Sequence, residues 1–198
     1  MSSLVTSASL KEFFRMLLED ATGNQRLTLT EVTEFYLVNL LSDFVASDKL
    51  FTRDDQGRSD QEPLAFLYQR ALHQEREERI RTLRRLGDVS LYRAGFFSGS
   101  LQHTAVGADY YIQMGGAAYG QVATLAPSGG FAGVYQELAE KFTRLVDVLE
   151  EIAARGLAAN GASGTLKVYE SWTRTGNASL ERVLVDTGVL VKKKGLSN

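Results

Sequence analysis

The sequence predicts an all-α protein, a single-domain bundle of about six or seven helices over residues 1–198. Apolar side chains recur at spacings of three and four residues along most of the chain. The alternation typical of strands never lasts beyond a few residues. Only two prolines, Pro63 and Pro127, interrupt the helical pattern. The 198 residues suffice for one well-buried core, so a single domain is expected.

Composition excludes several classes of function. The chain has no cysteine, which rules out disulfides, thiolate zinc sites and a cysteine nucleophile. The formal net charge of -2 argues against nucleic acid as the main partner. No apolar run approaches the roughly 20 residues that cross a bilayer, and the first residues do not match a signal peptide. A cytoplasmic protein with no membrane span is therefore expected.

The first part of the chain is predicted to form two helices followed by a polar loop. Patterns of Ser or Thr followed three residues later by Glu mark helix starts at Ser9 and Thr28. These patterns predict helices over 9–20 and about 29–47. The second helix is apolar around most of its circumference, which is typical of a central helix or of one covered by a partner subunit. Residues 51–62 carry charges of both signs and predict a flexible loop.

Pro63 is predicted to begin a long helix that continues through a densely charged segment at 73–85. The simpler interpretation of this segment is a solvated helix face, because glutamates alternate with the arginines. The alternative is a basic strip that contacts phosphates together with the basic C-terminal tail 191–198. Its arginines would be Arg79, Arg81, Arg84 and Arg85.

Residues 84–125 organise the predicted fold as two helices, 84–98 and 107–125, packed face to face. The second helix contains three glycines, and glycine inside a helix costs about 1 kcal/mol relative to alanine. We therefore expect these glycines to allow a close approach of helices, the alternative being a ligand that lies against the backbone. The glycines are Gly115, Gly116 and Gly120.

Three further helical segments are predicted to complete the bundle. The first covers 131–152, where apolar residues follow a regular spacing of three and four. A flexible loop is expected over 156–164, and a last helix over 178–187. Between these lies a short helix whose inward face is predicted to carry Leu166, Tyr169 and Trp172.

The chain lacks the motifs of common catalytic and nucleotide-binding sites. Neither of its two histidines follows a glutamate by three residues, as the ligands of di-iron bundles require. The zinc-protease, α/β-hydrolase and phosphate-loop patterns are also absent. His73 and Glu77 have the spacing of metal ligands, but a surface pair in the charged segment is the simpler interpretation. No metal or cofactor is therefore expected.

One group of polar and aromatic residues in the two glycine-rich helices forms the candidate pocket. A buried tyrosine hydroxyl or carboxylate needs a hydrogen-bond partner. The structural interpretation is an internal Asp–Tyr or Asp–Arg network that fixes helix register. The functional interpretation is a tyrosine-lined pocket between the helices. The residues are Asp88, Tyr92, Arg93, Asp109, Tyr110, Tyr111 and Tyr119.

Four segments resemble a group of uncharacterised bacterial all-helical proteins. They read LGDVSLYRAGFF, DYYIQMGGAAYG, FTRLVDVLEEI and YESWTRTG. The resemblance extends from about Leu10 to Gly176 and implies one bacterial helical domain. It carries no particular activity, cofactor or partner.

The leading hypothesis for function is a non-enzymatic helical protein that binds another protein or itself, a homodimer included. It depends on the apolar helix at 29–47 and on the three glycines of the 107–125 helix. The alternative is a small-molecule-binding protein or an enzyme that uses the tyrosine-lined pocket. Nucleic-acid binding through the arginine strip is the third hypothesis.

Overall fold

The computed structural model describes residues 2–48, 63–101, 107–126 and 130–189. These ranges contain α-helices and no strand, which confirms the all-α prediction. Nine helices have nine or more residues, where six or seven were expected, and α5 adds a single turn. The helices are α1 (Ser2–Gln25), α2 (Glu31–Asp48), α3 (Leu64–Leu72), α4 (Arg76–Phe96), α5 (Ser98–Leu101), α6 (Ala108–Leu125), α7 (Gly130–Glu140), α8 (Phe142–Ala158), α9 (Ala162–Thr175) and α10 (Ala178–Asp186).

The predicted long helix after Pro63 is divided into α3 and α4, which raises the helix count. The guanidinium group of Arg79 in α4 reaches back across the break. It donates hydrogen bonds to the carbonyl oxygens of Ala71 and Leu72 at 2.9 and 2.6 Å. These carbonyls end α3 without a continuing helix, so the arginine stabilises the corner between the two helices.

The predicted helix over 131–152 is also divided, with Lys141 between α7 and α8. Lys141 has φ -101° and ψ 10°, outside helical values. Its ammonium group donates to the carbonyl oxygen of Thr28 and to the Glu137 carboxylate, both at 2.7 Å. The bend lets α7 pack against α2 and α6 while α8 packs against α1 and α4.

The two predicted helix starts in the first part of the chain are displaced. Ser9 lies inside α1, which begins at Ser2, so it does not cap that helix. At the second start Thr30 replaces Thr28 as the cap. Its hydroxyl oxygen accepts a hydrogen bond from the Thr33 backbone N–H at 3.4 Å.

The predicted loop over 156–164 is helical for most of its length, because α8 continues to Ala158 and α9 begins at Ala162. A Cβ atom added to Gly164 would lie 1.8 Å from the Leu157 carbonyl oxygen. Glycine therefore permits a tight turn between two helices where a loop was expected.

The inward face predicted for the short C-terminal helix is partly wrong. Leu166 and Tyr169 are exposed, whereas Val168 and Trp172 are buried. The buried positions follow a spacing of four from Gly164, and the predicted set followed a spacing of three.

The described residues form two hydrophobic clusters. Helices α1 to α8 enclose the larger one, and Trp172 lies in the smaller one with residues of α8, α9 and α10. The Glu151 side chain is fully buried and joins α1, α8 and α10. It accepts hydrogen bonds from Asn24, Gln25, Arg155 and Arg182.

Other boundaries agree closely with the predictions. Helix α6 matches the predicted 107–125 helix, and α10 matches the predicted 178–187 helix. Helices α4 and α6 make the most extensive contact between any two described helices, which confirms the face-to-face packing. No helix in the described part of the chain is long and apolar enough to cross a membrane. The predicted loop 51–62 and tail 191–198 lie outside the described residues.

Candidate functional site

The contact between α4 and α6 is close because glycines replace side chains where the helices meet. A Cβ atom on Gly87 would lie 2.5 Å from the Tyr119 ring. One on Gly115 would lie 2.3 Å from the Phe142 ring and 2.7 Å from the Ser90 Cβ atom. These distances are shorter than van der Waals contact, so both positions require glycine as the helices are packed.

The three glycines of α6 differ in how closely their neighbours pack, and Gly115 has the closest neighbours. Added Cβ atoms on Gly116 and Gly120 would make contacts of 3.7 and 4.0 Å, which are ordinary van der Waals distances. Gly116 lies near Phe142 of α8 and Ala139 of α7, and Gly120 lies near Ala139. The packing would therefore accommodate alanine at these two positions, because a glycine's presence in a sequence does not say how near its neighbour lies.

Asp88 in α4 is the centre of a buried hydrogen-bond network. Its carboxylate accepts the hydroxyl of Tyr119 at 2.7 Å and also that of Tyr36. The Arg84 guanidinium lies 3.7 Å from the other carboxylate oxygen and over the Tyr36 ring. Burial raises the pKa of the Asp88 carboxyl, and the hydrogen bonds from the two tyrosines oppose this rise.

Two tyrosines of this network, Tyr36 in α2 and Tyr135 in α7, were not among the predicted site residues. The Tyr135 ring lies 5.7 Å from the Tyr36 ring and 6.0 Å from the Tyr119 ring. Burial raises the pKa values of all three tyrosines, so their hydroxyls are protonated donors at neutral pH. The network thus connects four helices, which agrees with the structural interpretation of Asp88 and Tyr119.

Arg93 and Tyr111 form a separate contact. The Arg93 guanidinium donates to the Tyr111 hydroxyl at 3.2 Å and lies 5.9 Å from the ring centre. The Tyr110 ring packs at 5.6 Å against the Tyr111 ring. Asp109 is exposed in the first turn of α6, where its negative charge suits the helix dipole.

Tyr92 lies in a third group of contacts, an aromatic stack. Its ring stacks on Phe44 at 4.4 Å and on Phe96 at 4.9 Å, and only 5% of the residue is exposed. The seven predicted residues are therefore divided among a buried network, an arginine–tyrosine contact against which Tyr110 packs, an aromatic stack, and Asp109, which is exposed. Their sequence proximity does not make them the lining of one pocket.

Two surface depressions of the described residues lie elsewhere. One, of about 500 Å³, follows the outer side of α3 beside Phe66 and His73. The other, of about 400 Å³, lies between α2 and α7 and is named the α2–α7 groove here. Within the described residues, no group of three or more histidine or acidic side chains is arranged to hold a metal ion.

The α2–α7 groove combines an apolar surface with carboxylates. Its lining includes Val32 from α2 and Val134 with Gly133 from α7. The polar lining residues are Thr30, Gln136, Glu137, Glu140 and Lys141.

Glu137 in α7 connects the two walls of the groove, because it is hydrogen-bonded to the N-terminus of α2. Its carboxylate accepts the Thr30 hydroxyl at 2.7 Å and the Thr30 backbone N–H at 3.2 Å, at the N-terminus of α2. The Lys141 ammonium group donates to the same carboxylate at 2.7 Å. Burial alone would raise the pKa of Glu137, but hydrogen bonds from Lys141, Thr33 and Thr30 outweigh it and lower the pKa to about 2. The charged form is therefore strongly favoured.

Further carboxylates lie around the groove. Glu140 is exposed on the α7 wall, and Glu31 is exposed in the first turn of α2. Burial, followed by repulsion from Glu19, Glu31 and Glu137, raises the pKa of Glu34. This repulsion indicates that acidic groups from α1, α2 and α7 face the same region.

Large apolar side chains are exposed on the outer surface of the α1–α2 pair. Phe35 and Val32 in α2 are 68% and 49% exposed, while Leu37 and Leu41 on the opposite side are fully buried. Phe13 and Met16 in α1 are also more than half exposed, at 53% and 58%. The helix predicted to be central or covered by a partner is therefore buried on one side and open on the other.

No protein-family model, curated protein or solved structure shows a significant match to the chain. The resemblance to bacterial helical proteins accordingly stays a prediction. Any functional conclusion must depend on the geometry of the described residues.

Proposed function

We propose that this protein acts by binding a helix of another protein through Phe35, Val32 and the α2–α7 groove. The proposed role is not enzymatic, and a bacterial, cytoplasmic setting is part of the same proposal. The observation that carries it is the exposure of Phe35, 68% of which is open to solvent on a helix whose opposite side is core. Val32 lines the groove and lies three residues before Phe35, so the two share one side of α2.

The physical reason is the hydrophobic effect. Covering a phenylalanine or valine side chain that is otherwise exposed contributes about 1.5–3 kcal/mol. Isolated exposed apolar residues are common, but an apolar pair next to a concave surface is typical of a protein-binding site. A helix that places apolar side chains three and four residues apart can insert them into such a groove.

The charges of the surface favour a different protein over a second copy of this chain. In a two-fold dimer through this surface, Glu31, Glu34 and Glu140 would face the same carboxylates of the other copy. Like charges across an interface oppose association. The homodimer considered from the sequence is therefore disfavoured at this surface.

Affinity capture followed by a binding measurement tests the proposal. The immobilised full-length protein, its Phe35→Glu variant and its Phe66→Glu variant are exposed to extract from the native host. Phe66 is a matched control, because it is a phenylalanine 58% exposed on α3. We expect a partner that wild type and Phe66→Glu retain and that Phe35→Glu loses.

The captured partner is then purified and titrated against the three proteins by calorimetry. We expect Phe35→Glu to weaken binding at least tenfold, about 1.4 kcal/mol, with Phe66→Glu unchanged. Capture of the same proteins by all three forms, or equal affinities in calorimetry, would show that this surface is not the binding site.

A further inference from the structure

We infer that the α2–α7 groove receives a basic amphipathic helix, whose Lys or Arg side chains flank the apolar ones that cover Val32 and Phe35. This inference rests on the proposed function and adds the chemistry of the partner. It is carried by the position, around the apolar residues, of carboxylates that have no ion-pair partner in the described part of the chain.

The first step concerns which charges of the groove are already neutralised. Lys141 is the cation that lines the groove, and its ammonium group is bonded to Glu137 and to the Thr28 carbonyl. Glu31 and Glu34 take part in no ion pair within the described residues. Among the residues that the structure describes, the hydrogen-bond partner of Glu140 is the neutral amide of Gln136, which donates to its carboxylate at 2.9 Å.

The second step concerns where these carboxylates lie relative to the apolar side chains. Glu31 precedes Phe35 by four residues, so it lies one turn away on the same side of α2. Glu140 lines the opposite wall, in the last turn of α7. An apolar side chain seated between Val32 and Val134 would thus have a carboxylate on either side.

The third step concerns energy. A neutral or acidic partner would cover these carboxylates without a counter-charge, which costs free energy because they lose water. Lys and Arg side chains can reach such carboxylates with their charged ends while their aliphatic stems stay on apolar surface. A basic amphipathic helix meets both requirements, and complementary charge also speeds its encounter with the groove.

Fluorescence anisotropy with three labelled synthetic helices of equal length tests the inference. One pairs a leucine stripe with lysines, the second pairs the same stripe with glutamates, and the third keeps the lysines but replaces leucine by glutamine. We expect the leucine–lysine helix to bind and the other two to bind at least tenfold more weakly.

Two sets of substitutions in the full-length protein refine the test. Glu31→Gln, Glu34→Gln and Glu140→Gln together should weaken binding of the leucine–lysine helix about tenfold and reduce its salt dependence, since three ion pairs that salt screens would be lost. A control with Glu77→Gln and Glu78→Gln, two exposed carboxylates of α4, should leave its affinity unchanged. Phe35→Ser should weaken it at least as much as the triple substitution.

The possible failures are distinguishable. Equal binding of the leucine–lysine and leucine–glutamate helices, both dependent on Phe35, overturns the charge inference but leaves the proposed function standing. If Phe35→Ser leaves the affinity for the leucine–lysine helix unchanged, or if the Glu77→Gln, Glu78→Gln control weakens it as much as the triple substitution, the helix is attracted to acidic surface in general. Either result overturns the inference. If light scattering of the protein alone shows an oligomer that Phe35→Ser dissociates, a second copy covers the surface and the inference is wrong. Absence of both peptide binding and a Phe35-dependent captured partner overturns the function as well.

Discussion

Asp88 and Glu137 both accept hydrogen bonds from hydroxyl groups elsewhere in the chain, yet their surroundings shift their pKa values in opposite directions. Asp88 lies under the α4–α6 contact, where burial raises its pKa and two tyrosine hydroxyls oppose the change. Glu137 lies at the edge of the α2–α7 groove, where an ammonium group and the N-terminus of α2 lower its pKa to about 2. The comparison separates a carboxylate retained to satisfy buried donors from one whose charge is itself stabilising.

This contrast also locates the part of the molecule that remains available for binding. The hydroxyls of Tyr36 and Tyr119 both donate to Asp88 inside the protein, and Tyr119 is fully buried. In the described ranges, Glu137 is the carboxylate of this region that pairs with a lysine, and the neighbouring Val32 and Phe35 stay open to solvent. The interior cluster therefore stabilises the fold, and the groove is the surface that we propose a partner covers.

The largest expected loss of stability follows a substitution in the Asp88 network. Asp88→Ala would leave the Tyr36 and Tyr119 hydroxyls without their acceptor in a buried place. An unpaired buried polar group costs about 1–3 kcal/mol, so we expect the free energy of unfolding to fall by about 3 kcal/mol. Urea denaturation followed by circular dichroism measures this change. A loss below about 1 kcal/mol would mean that the network does little to hold the helices.

Asp88→Asn is the matched control, because its amide oxygen still accepts a hydroxyl. Since the folded-state pKa of Asp88 is raised, the folded protein holds this proton more tightly than the unfolded chain does. The contribution of Asp88 to stability is thus greatest at low pH and falls as pH rises from about 4 through the raised pKa. We expect this decrease in wild type and its absence in Asp88→Asn, measured by urea denaturation at several pH values.

The next largest change in stability is expected when either of two adjacent glycines in α6 is replaced by alanine. Gly115→Ala would place a methyl group 2.3 Å from the Phe142 ring and against Ser90 on the other side. Overpacking of this kind costs about 1–3 kcal/mol. Gly116→Ala meets only a contact of 3.7 Å and should gain up to about 1 kcal/mol of helix propensity. Thermal unfolding of both variants checks the opposite signs, and equal shifts would contradict the difference in packing.

The fold class and the pairing of α4 with α6 could be predicted because both depend on local signals. Periodic apolar residues mark helices, and glycines with a known helix cost suggest close contact. The breaks between α3 and α4 and at Lys141 could not be predicted in this way. They contain no proline or glycine, and they are stabilised by side chains that reach distant carbonyls, Arg79 to Ala71 and Lys141 to Thr28.

The candidate site was only partly predictable for a related reason. Asp88 and Tyr119 stood out as polar groups in apolar helices, and the same signal could have identified Tyr36 in the apolar helix at 29–47. Tyr135 gave no such signal, because nothing in the sequence indicates which residues of α7 face the network. The α2–α7 groove was also hidden, since it depends on the bend at Lys141 that brings α7 against α2.

A smaller loss of stability is expected when Glu137, the carboxylate at the edge of the α2–α7 groove, is substituted. Glu137→Gln would remove the ion pair with Lys141 and the charge at the N-terminus of α2, which together contribute about 1–2 kcal/mol. Because the folded-state pKa is lowered to about 2, this stability is present above the unfolded pKa of about 4.5 and is lost as pH falls toward 2. The difference between wild type and variant should therefore shrink across that window in urea titrations. A constant difference would exclude the charge of Glu137 as its cause.

The smallest effect on stability is expected where the effect on binding is largest. Phe35 is 68% exposed, so Phe35→Ser removes little buried surface, and we expect the free energy of unfolding to change by no more than about 0.5 kcal/mol. Leu37→Ser, two residues away at a fully buried position, should instead cost several kcal/mol. Comparing both variants by urea denaturation separates the two sides of α2. A large loss in Phe35→Ser would mean that the side chain supports the fold, and its exposure could then no longer be taken as a sign of binding.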